Sequence, residues 1–536
     1  MSDPMVPTQR KWLMWFMGVT LSIVSLPYLI GFQVARLHFT GDRWSYSGLL
    51  IAAEDGFSYL AKMLSGANGA WLFRTPYTLE PQRGFIAFLP YLLLGKFTSQ
   101  PGQYEQMVIL YHLLRLTGVV LSIWAIDRFL SLFFVGGAEK KWALILAVYG
   151  GGLGYFSLFG LSSLWQGPMP LEFYSPESFG FLGSLAIAHL PWARGLLILG
   201  FTRLLSGRRW QDAVIAGGMW FIMGFFQPLA VVSAWGALAG FMGILTIRIL
   251  FFPAHSWNEW KFWARQVLLA GITSSPMVLY NFFSFQFDPF LHKWQTQNIL
   301  PSPPPGDYLL AYGPVMLPVV YFLYRRWQQL DVKMVFLCGW LAVFPFLAYA
   351  PYNLQRRLPE GIWVGLVVLG TLGIGMMKKG WKLFSFTLVG SGLISTFLLV
   401  AGGILSVLVP GRPLFIPESE VRAFRFLSDH IGAGASVLAS YDTSTVLPAF
   451  APVRVPIGHG PESLGLKKLL PTVDAFWKGQ LNEKEQKAFL KQGGFEYIFW
   501  GPLEQAPGGW NPATAGYLEE IYSEGRYHIY RVKLMP

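Results

Sequence analysis

QDAVIAGGMWFIMGFFQPLAVVSAWGALAGFMGILTIRIL, residues 211–250, is the stretch that decides the fold. Between Asp212 and Arg248 it has no charged residue, and its one clear break is Gln227-Pro228. Proline removes a backbone donor and clashes with the preceding turn, so the run reads as two apolar helices joined by a tight turn. Several runs elsewhere exceed the roughly 18 apolar residues that mark a spanning helix. The composition agrees, with 53% hydrophobic and 13% charged residues and a mean hydropathy of +0.42. Soluble domains carry about 25% charged residues, so the sequence is that of an integral membrane protein.

The net charge of +12 does not point to nucleic acid. No basic run is interleaved with aromatic residues, and the lysines and arginines gather in short loops between apolar segments, as the positive-inside rule produces. The single cysteine, Cys338, excludes a disulfide within the chain and cysteine-based metal sites. Arg10-Lys11 precede a long apolar stretch with no small-residue cleavage site, which reads as an uncleaved first helix over about 12–32.

Working outward, further helices are expected at about 106–135, 142–163, 182–203, 265–283, 334–350, 361–377 and 383–408. One more ends at Arg325-Arg326, so with the pair in 211–250 the expectation is about 11 transmembrane helices. Segment 85–97 is too short to cross and contains Pro90, so it is expected at the interface or re-entrant, and 251–264 is an aromatic interfacial connection. With the N-terminus inside, the basic loops at Lys140-Lys141, Arg208-Arg209, Arg248, Arg325-Arg326 and Lys378-Lys379 all fall inside. The other side receives a polar insertion at 33–84, the loops 164–180 and 284–308, the Gln355-Arg356-Arg357 loop and the tail. Arg356-Arg357 go against the charge bias, which points to a specific need for them.

The tail alternates short strand patterns (SVLASY, YIFWG), two helices and a hairpin (IYSEGRYHIYRV). The expected class is therefore mainly α: a polytopic membrane domain over 1–409 with a large first external loop over 33–105, and a small soluble extracytoplasmic α/β domain over 410–536. No long-period repeat argues for a solenoid.

The chemistry centres on Glu54-Asp55 in SGLLIAAEDGFSYLAKM, residues 47–63. Two adjacent carboxylates at a membrane boundary, opening a helix whose N-terminus favours negative charge, suit a general base. His112 and Arg115, His189 and Arg194, and Glu172 and Glu177 are expected on the same side. Ionisable groups in or beside spans usually face a cavity, so these are read as supporting a polar outward-opening site. Arg356 and Arg357, with Arg115, are candidates to hold a phosphate bidentately. No G-x-x-x-x-G-K-[ST] occurs, so a soluble nucleotide is not indicated and a lipid-linked phosphate donor fits better. In the tail, His459 and Glu462 sit in a turn that either contacts an acceptor or packs the tail. His292 and Trp294 in the 284–308 loop are candidates for sugar stacking or interfacial anchoring.

On these residues, and on SYLAKMLSGANGAWLFRTPYTLEP, SPESFGFLGSLAIAHLP, WQTQNILPSPPPGDYLLAYG, QRRLPEG and IGHGPES, the chain resembles the GT-C superfamily of membrane glycosyltransferases, in a bacterial branch. The resemblance implies a sugar donor on a polyprenyl phosphate, an extracytoplasmic acceptor, and a place in the bacterial inner membrane with the C-terminus outside. It assigns the general base to Asp55 first and Glu54 second, and a basic residue near the donor phosphate, for which Arg356 and Arg357 stand. Some members use a divalent cation such as Mg or Mn; Asp55 and Glu177 would be its ligands here. Two other classes remain open from the residues alone. A transporter or lipid flippase predicts inverted repeats and a midplane site, and a non-catalytic scaffold subunit makes the acids structural.

Overall fold

The computed structural model describes residues 7–37, 43–252 and 256–533. The parts of the expected external loop and interfacial connection at 38–42 and 253–255, and the ends at 1–6 and 534–536, lie outside the described residues. The protein is a multi-pass, mainly helical membrane protein. Among the described residues six helices are long and apolar enough to cross: Arg10–Arg36, Gln103–Leu130, Pro228–Phe251, Trp257–Phe287, Pro305–Gln329 and Lys379–Ser406. Val332–Ala348 and Ile362–Met376 are shorter apolar helices.

The break at Gln227-Pro228 is where expected, between helices Trp210–Phe226 and Pro228–Phe251. The run at 142–163 is not one helix. Helix Gly137–Tyr149 stops at Gly150-Gly151-Gly152, and two short 3-10 turns follow, Gly154–Phe159 and Ser162–Leu164. Glycine carries the largest entropic cost in a helix, and the Gly154 N–H here donates instead to Glu172 Oε1 at 2.7 Å. The expected helix at 182–203 likewise divides into Gly180–Ala186 and His189–Ser206.

Two compact units share the chain. The first comprises 1–26, 113–283 and 299–403; the second comprises 27–112, 284–298 and 404–536. In the first, helices Pro228–Phe251 and Val332–Ala348 cross at Gly240 and Gly339. A Cβ added at Gly240 would lie 2.2 Å from the Gly339 carbonyl oxygen. Lipid offers no hydrophobic drive for helix association, so such close backbone approach supplies the attraction.

In the second unit a four-stranded sheet carries the tail. Val437–Leu438 runs parallel to Tyr497–Trp500, which pairs antiparallel with Tyr527–Val532 and that in turn with Leu518–Glu524. Helices Leu466–Trp477 and Glu483–Gly493 cover it over a core of Ile457, Val473, Phe476, Leu490 and Ile498. A two-stranded ribbon, Trp44–Tyr46 with Phe415–Pro417, joins the polar insertion to the start of the tail. The Val455 N–H donates to the Pro76 carbonyl at 2.8 Å, tying the insertion to the sheet side again.

Helix Ala53–Ala67, which carries the acid pair, packs on the short helix Leu89–Gly95. Added Cβ atoms would lie 2.0 Å from the Leu92 carbonyl oxygen at Gly66 and 1.7 Å from that of Met63 at Gly95. Gly95→Ala should therefore cost about 1–3 kcal/mol of stability, the usual penalty of overpacking. Gly18→Ala, where nothing lies within 4 Å, should be neutral or stabilising. Thermal unfolding of the two variants in detergent checks the contrast.

Candidate functional site

Helix Ala53–Ala67 begins from a strained residue. Ala52 has φ 56° and ψ 47°, the left-handed region, which costs a non-glycine residue about 1–2 kcal/mol. Backbone outliers of this kind gather at functional sites, and this one aims the residues that follow it. Glu54 and Asp55 occupy the first turn, where the unpaired N–H groups favour negative charge.

Asp55, Ser58 and Lys62 stand at i, i+3 and i+7 and so share one helix face. That face meets the tail turn that carries His459 and Glu462. Asp55 Oδ1 lies 2.9 Å from His459 Nε2, and His459 Nδ1 lies 3.4 Å from Glu462 Oε1. The same Glu462 oxygen accepts from Ser58 Oγ at 2.6 Å and from Lys62 Nζ at 2.5 Å. Lys62 also donates to Ser58. Three rings surround the ammonium: Phe88 at 4.2 Å, Phe73 at 5.1 Å and Tyr59 at 5.3 Å. Side-chain exposure is 1% for Lys62, 2% for Glu462 and 7% for His459, but 40% for Asp55. The charges are thus buried at one end of the array, and a reagent reaches it at Asp55.

The electrostatics follow from this burial. Burial alone would raise the Glu462 carboxyl, but the charge of Lys62 and the contact with His459 outweigh it and hold Glu462 well below the usual carboxylate range. The Lys62 ammonium is pulled below its ordinary value by burial, with Glu462 and Asp55 opposing. For His459 burial would lower the imidazole, but Asp55 and Glu462 outweigh it and push it up to about 9. Glu54, exposed, accepts from Tyr441 Oη at 3.3 Å, and burial together with Glu54 pushes that phenol up to about 12.

The turn itself is clamped. Pro461 carbonyl oxygen accepts from Trp294 Nε1 at 2.5 Å and from Asn298 Nδ2 at 2.9 Å, and the Ser463 carbonyl accepts from Gln297 Nε2 at 3.0 Å. Trp294, a candidate for sugar stacking, thereby fixes the loop that presents His459.

Of the expected site residues, then, Asp55, His459 and Glu462 come together, with Glu54 on the same helix turn. His112 in this unit sits by Gly48, its Nε2 at 2.9 Å from the carbonyl. Lys62, Ser58 and Tyr441 were missed by the sequence reading. The signal was available for two of them: Lys62 is the sole basic residue of its helix, and both it and Ser58 keep helical spacing from Asp55.

In the first unit the expected residues form separate contacts. Arg194 Nε donates to Glu360 Oε1 at 2.7 Å, and burial raises the Glu360 carboxyl to about 7 against the pull of Arg194. Arg357 Nε lies 3.6 Å from Glu177 Oε1, and Arg357 keeps 45% side-chain exposure. The Arg356 guanidinium covers the Tyr174 ring at 4.8 Å. Glu172 is buried between the Gly154 N–H and Ser395 Oγ, where desolvation raises its carboxyl. Arg115 donates through Nη1 to the carbonyls of Val24, Ser184 and Leu185, and His189 opens helix His189–Ser206. Among the described residues no group of three or more His, Cys, Asp or Glu is arranged to hold a metal. The Asp55 carboxylate faces His459, and that of Glu177 faces Arg357.

No protein-family model and no curated protein matches the sequence. Solved structures do match. The Archaeoglobus fulgidus oligosaccharyltransferase AglB, in complex with an inhibitory peptide and a dolichol-phosphate, aligns at 12% identity and a TM-score of 0.51, over 90% of this chain and 69% of that one. The mycobacterial arabinofuranosyltransferase AftD aligns at 14% identity and a TM-score of 0.53, over 98% of this chain. This chain spans 42% of the AftD chain. ArnT from Cupriavidus metallidurans, bound to undecaprenyl phosphate, aligns at 13% identity and a TM-score of 0.45, over 96% and 98% of the two chains. The likenesses to AglB and AftD are likenesses of fold.

Glu462→Gln should cost about 3 kcal/mol or more, because it leaves the Lys62 ammonium buried without a counter-charge. Replacing both partners, Lys62→Met with Glu462→Leu, should cost less than Glu462→Gln alone. Denaturation of the two variants in detergent reads the order directly.

Proposed function

We propose that this chain, whose fold is that of the GT-C membrane glycosyltransferases, transfers a sugar from a polyprenyl-phosphate donor to a hydroxyl of an extracytoplasmic acceptor. The observation that carries the proposal is the Asp55 carboxylate. It is partly open to solvent, held at 2.9 Å by a buried imidazole, and launched from the strained Ala52.

In the reaction the acceptor O–H gives its proton to Asp55 while its oxygen bonds the anomeric carbon. The bond from that carbon to the phosphate oxygen breaks, and polyprenyl phosphate leaves with the electron pair. Attack opposite the leaving group inverts the anomeric centre. Asp55 is the catalytic base, and Glu54, tethered to Tyr441, is the neighbouring carboxylate that the same helix turn exposes. In the first unit, Arg356 and Arg357 are the groups we assign to a phosphate. Arg357 is half-exposed and beside Glu177, and a guanidinium offers the planar fork that phosphate geometry suits.

The donor class is supported by the shared fold, since the AglB structure holds a dolichol-phosphate together with a peptide. We place the protein in a bacterial inner membrane, as the resemblance implies, with its N-terminus inside and residues 410–536 outside, an orientation that rests on the distribution of Lys and Arg among the short loops.

Asp55→Asn should lower turnover by about 100-fold or more, as expected when a positioned base is removed, with folding intact. The assay uses the full chain in proteoliposomes with a polyprenyl-phosphate sugar, product lipids being read by mass spectrometry. Turnover within tenfold of wild type would overturn the assignment.

A further inference from the structure

We infer that Lys62 is a positioning residue: through Glu462 and His459 it holds the Asp55 carboxylate in its working orientation. This inference rests on the reading of Asp55 as the base. Lys62 lies about two turns along the helix from Asp55, and the chain of contacts between them runs through the tail turn.

The argument begins with the imidazole. His459 has a carboxylate oxygen at each nitrogen, Asp55 Oδ1 at 2.9 Å from Nε2 and Glu462 Oε1 at 3.4 Å from Nδ1. The contact at Nε2 is a hydrogen bond, whereas Nδ1 makes none and meets Glu462 at ion-pair distance only. Two carboxylates beside one ring favour the imidazolium, whose charge strengthens the hydrogen bond that fixes Asp55.

Glu462 carries the next link. Its Oε1 takes Ser58, Lys62 and the approach of His459 at once, while Oε2 is buried without a hydrogen-bond partner. A buried carboxylate so placed stays ionised because Lys62 stands against it. Lys62 in turn cannot swing away, since the faces of Phe88, Phe73 and Tyr59 surround its ammonium and 1% of its side chain is exposed. The four charges, Asp55, His459, Glu462 and Lys62, sum to zero. Removing Lys62 takes away the anchor of Glu462, and with it that of the turn in which the Glu462 N–H donates to the His459 carbonyl, so His459 is no longer held against Asp55.

The groups that face His459 come from every element around it. Asp55 and Lys62, with Glu54 beyond, lie on helix Ala53–Ala67; Glu462 is on its own turn; Tyr77 places its ring 5.8 Å away; and Tyr441 sits beside Gly460. The anions outnumber the cations at the ring, which is the sign that favours the imidazolium.

The test measures kcat and donor KM in proteoliposomes. Lys62→Met should lower kcat by about 10- to 100-fold, the usual effect of a small misplacement of a reacting group, with donor KM within about twofold. Because Lys62→Met alone strands Glu462 and is open to misfolding, Lys62→Met with Glu462→Leu serves as the folded comparison and should keep the low kcat. A folded double variant with wild-type kcat overturns the inference. Asp55→Asn separates the two readings. If it stays active the base assignment fails, whereas an inactive Asp55→Asn beside a fully active double variant removes the role of Lys62 alone.

Discussion

Burying an ammonium and a carboxylate together is expensive, and the second unit is organised around making that burial tolerable. Taking each ion out of water costs several kcal/mol even after relaxation, and the pair recovers it only with good geometry and further hydrogen bonds. Lys62 and Glu462 have both. They meet at 2.5 Å, Ser58 adds a second donor, and three rings replace the water around the ammonium. The two residues are 400 positions apart, so the pair also fixes which part of the tail faces the acid-pair helix. A slip of one residue along that helix would turn Lys62 and Asp55 away together. The same register that satisfies the buried charge therefore delivers His459 to Asp55.

Rigid backbone contacts keep that register. Gly66 and Gly95 bring helix Ala53–Ala67 and helix Leu89–Gly95 into direct contact, and Phe88, at the start of the second helix, contributes a ring to the Lys62 cage. From the other direction, Trp294, Gln297 and Asn298 hold the carbonyls of the tail turn. The turn is gripped on both sides, and Asp55 is its partly exposed member. Local strain at Ala52 is then sustained by contacts made elsewhere, as strained positions at working sites generally are.

Much of this was legible in the sequence, for identifiable reasons. The helix break at Gln227-Pro228 follows from a covalent property of proline, and the tail's strands and hairpin at Tyr497–Trp500, Leu518–Glu524 and Tyr527–Val532 from their alternation and turn glycine. Glu54-Asp55 stood out because adjacent carboxylates beside apolar runs are costly. What escaped depends on partners distant in sequence. Lys62 reads as an ordinary exposed helix lysine until Glu462 is known to lie against it. The 142–163 run is long and apolar enough for a helix, but the chain leaves it at Gly150-Gly151-Gly152, and the Gly154 N–H goes to Glu172 instead. Glu360, a buried partner of Arg194, lies in a loop whose two arginines drew attention instead.

The central claim, that His459 is a cation shared between two carboxylates, is tested most directly by the ring itself. Nitrogen-15 NMR of histidine-labelled protein in nanodiscs has only 8 histidines to resolve, and the His459 signal is the one lost in His459→Gln. The ring should carry protons on both nitrogens at neutral pH and titrate near 9, with its midpoint falling in Asp55→Asn as one of the two acceptors loses its charge. A His459 that is neutral at pH 7 and titrates at or below the ordinary 6.5 would contradict the account.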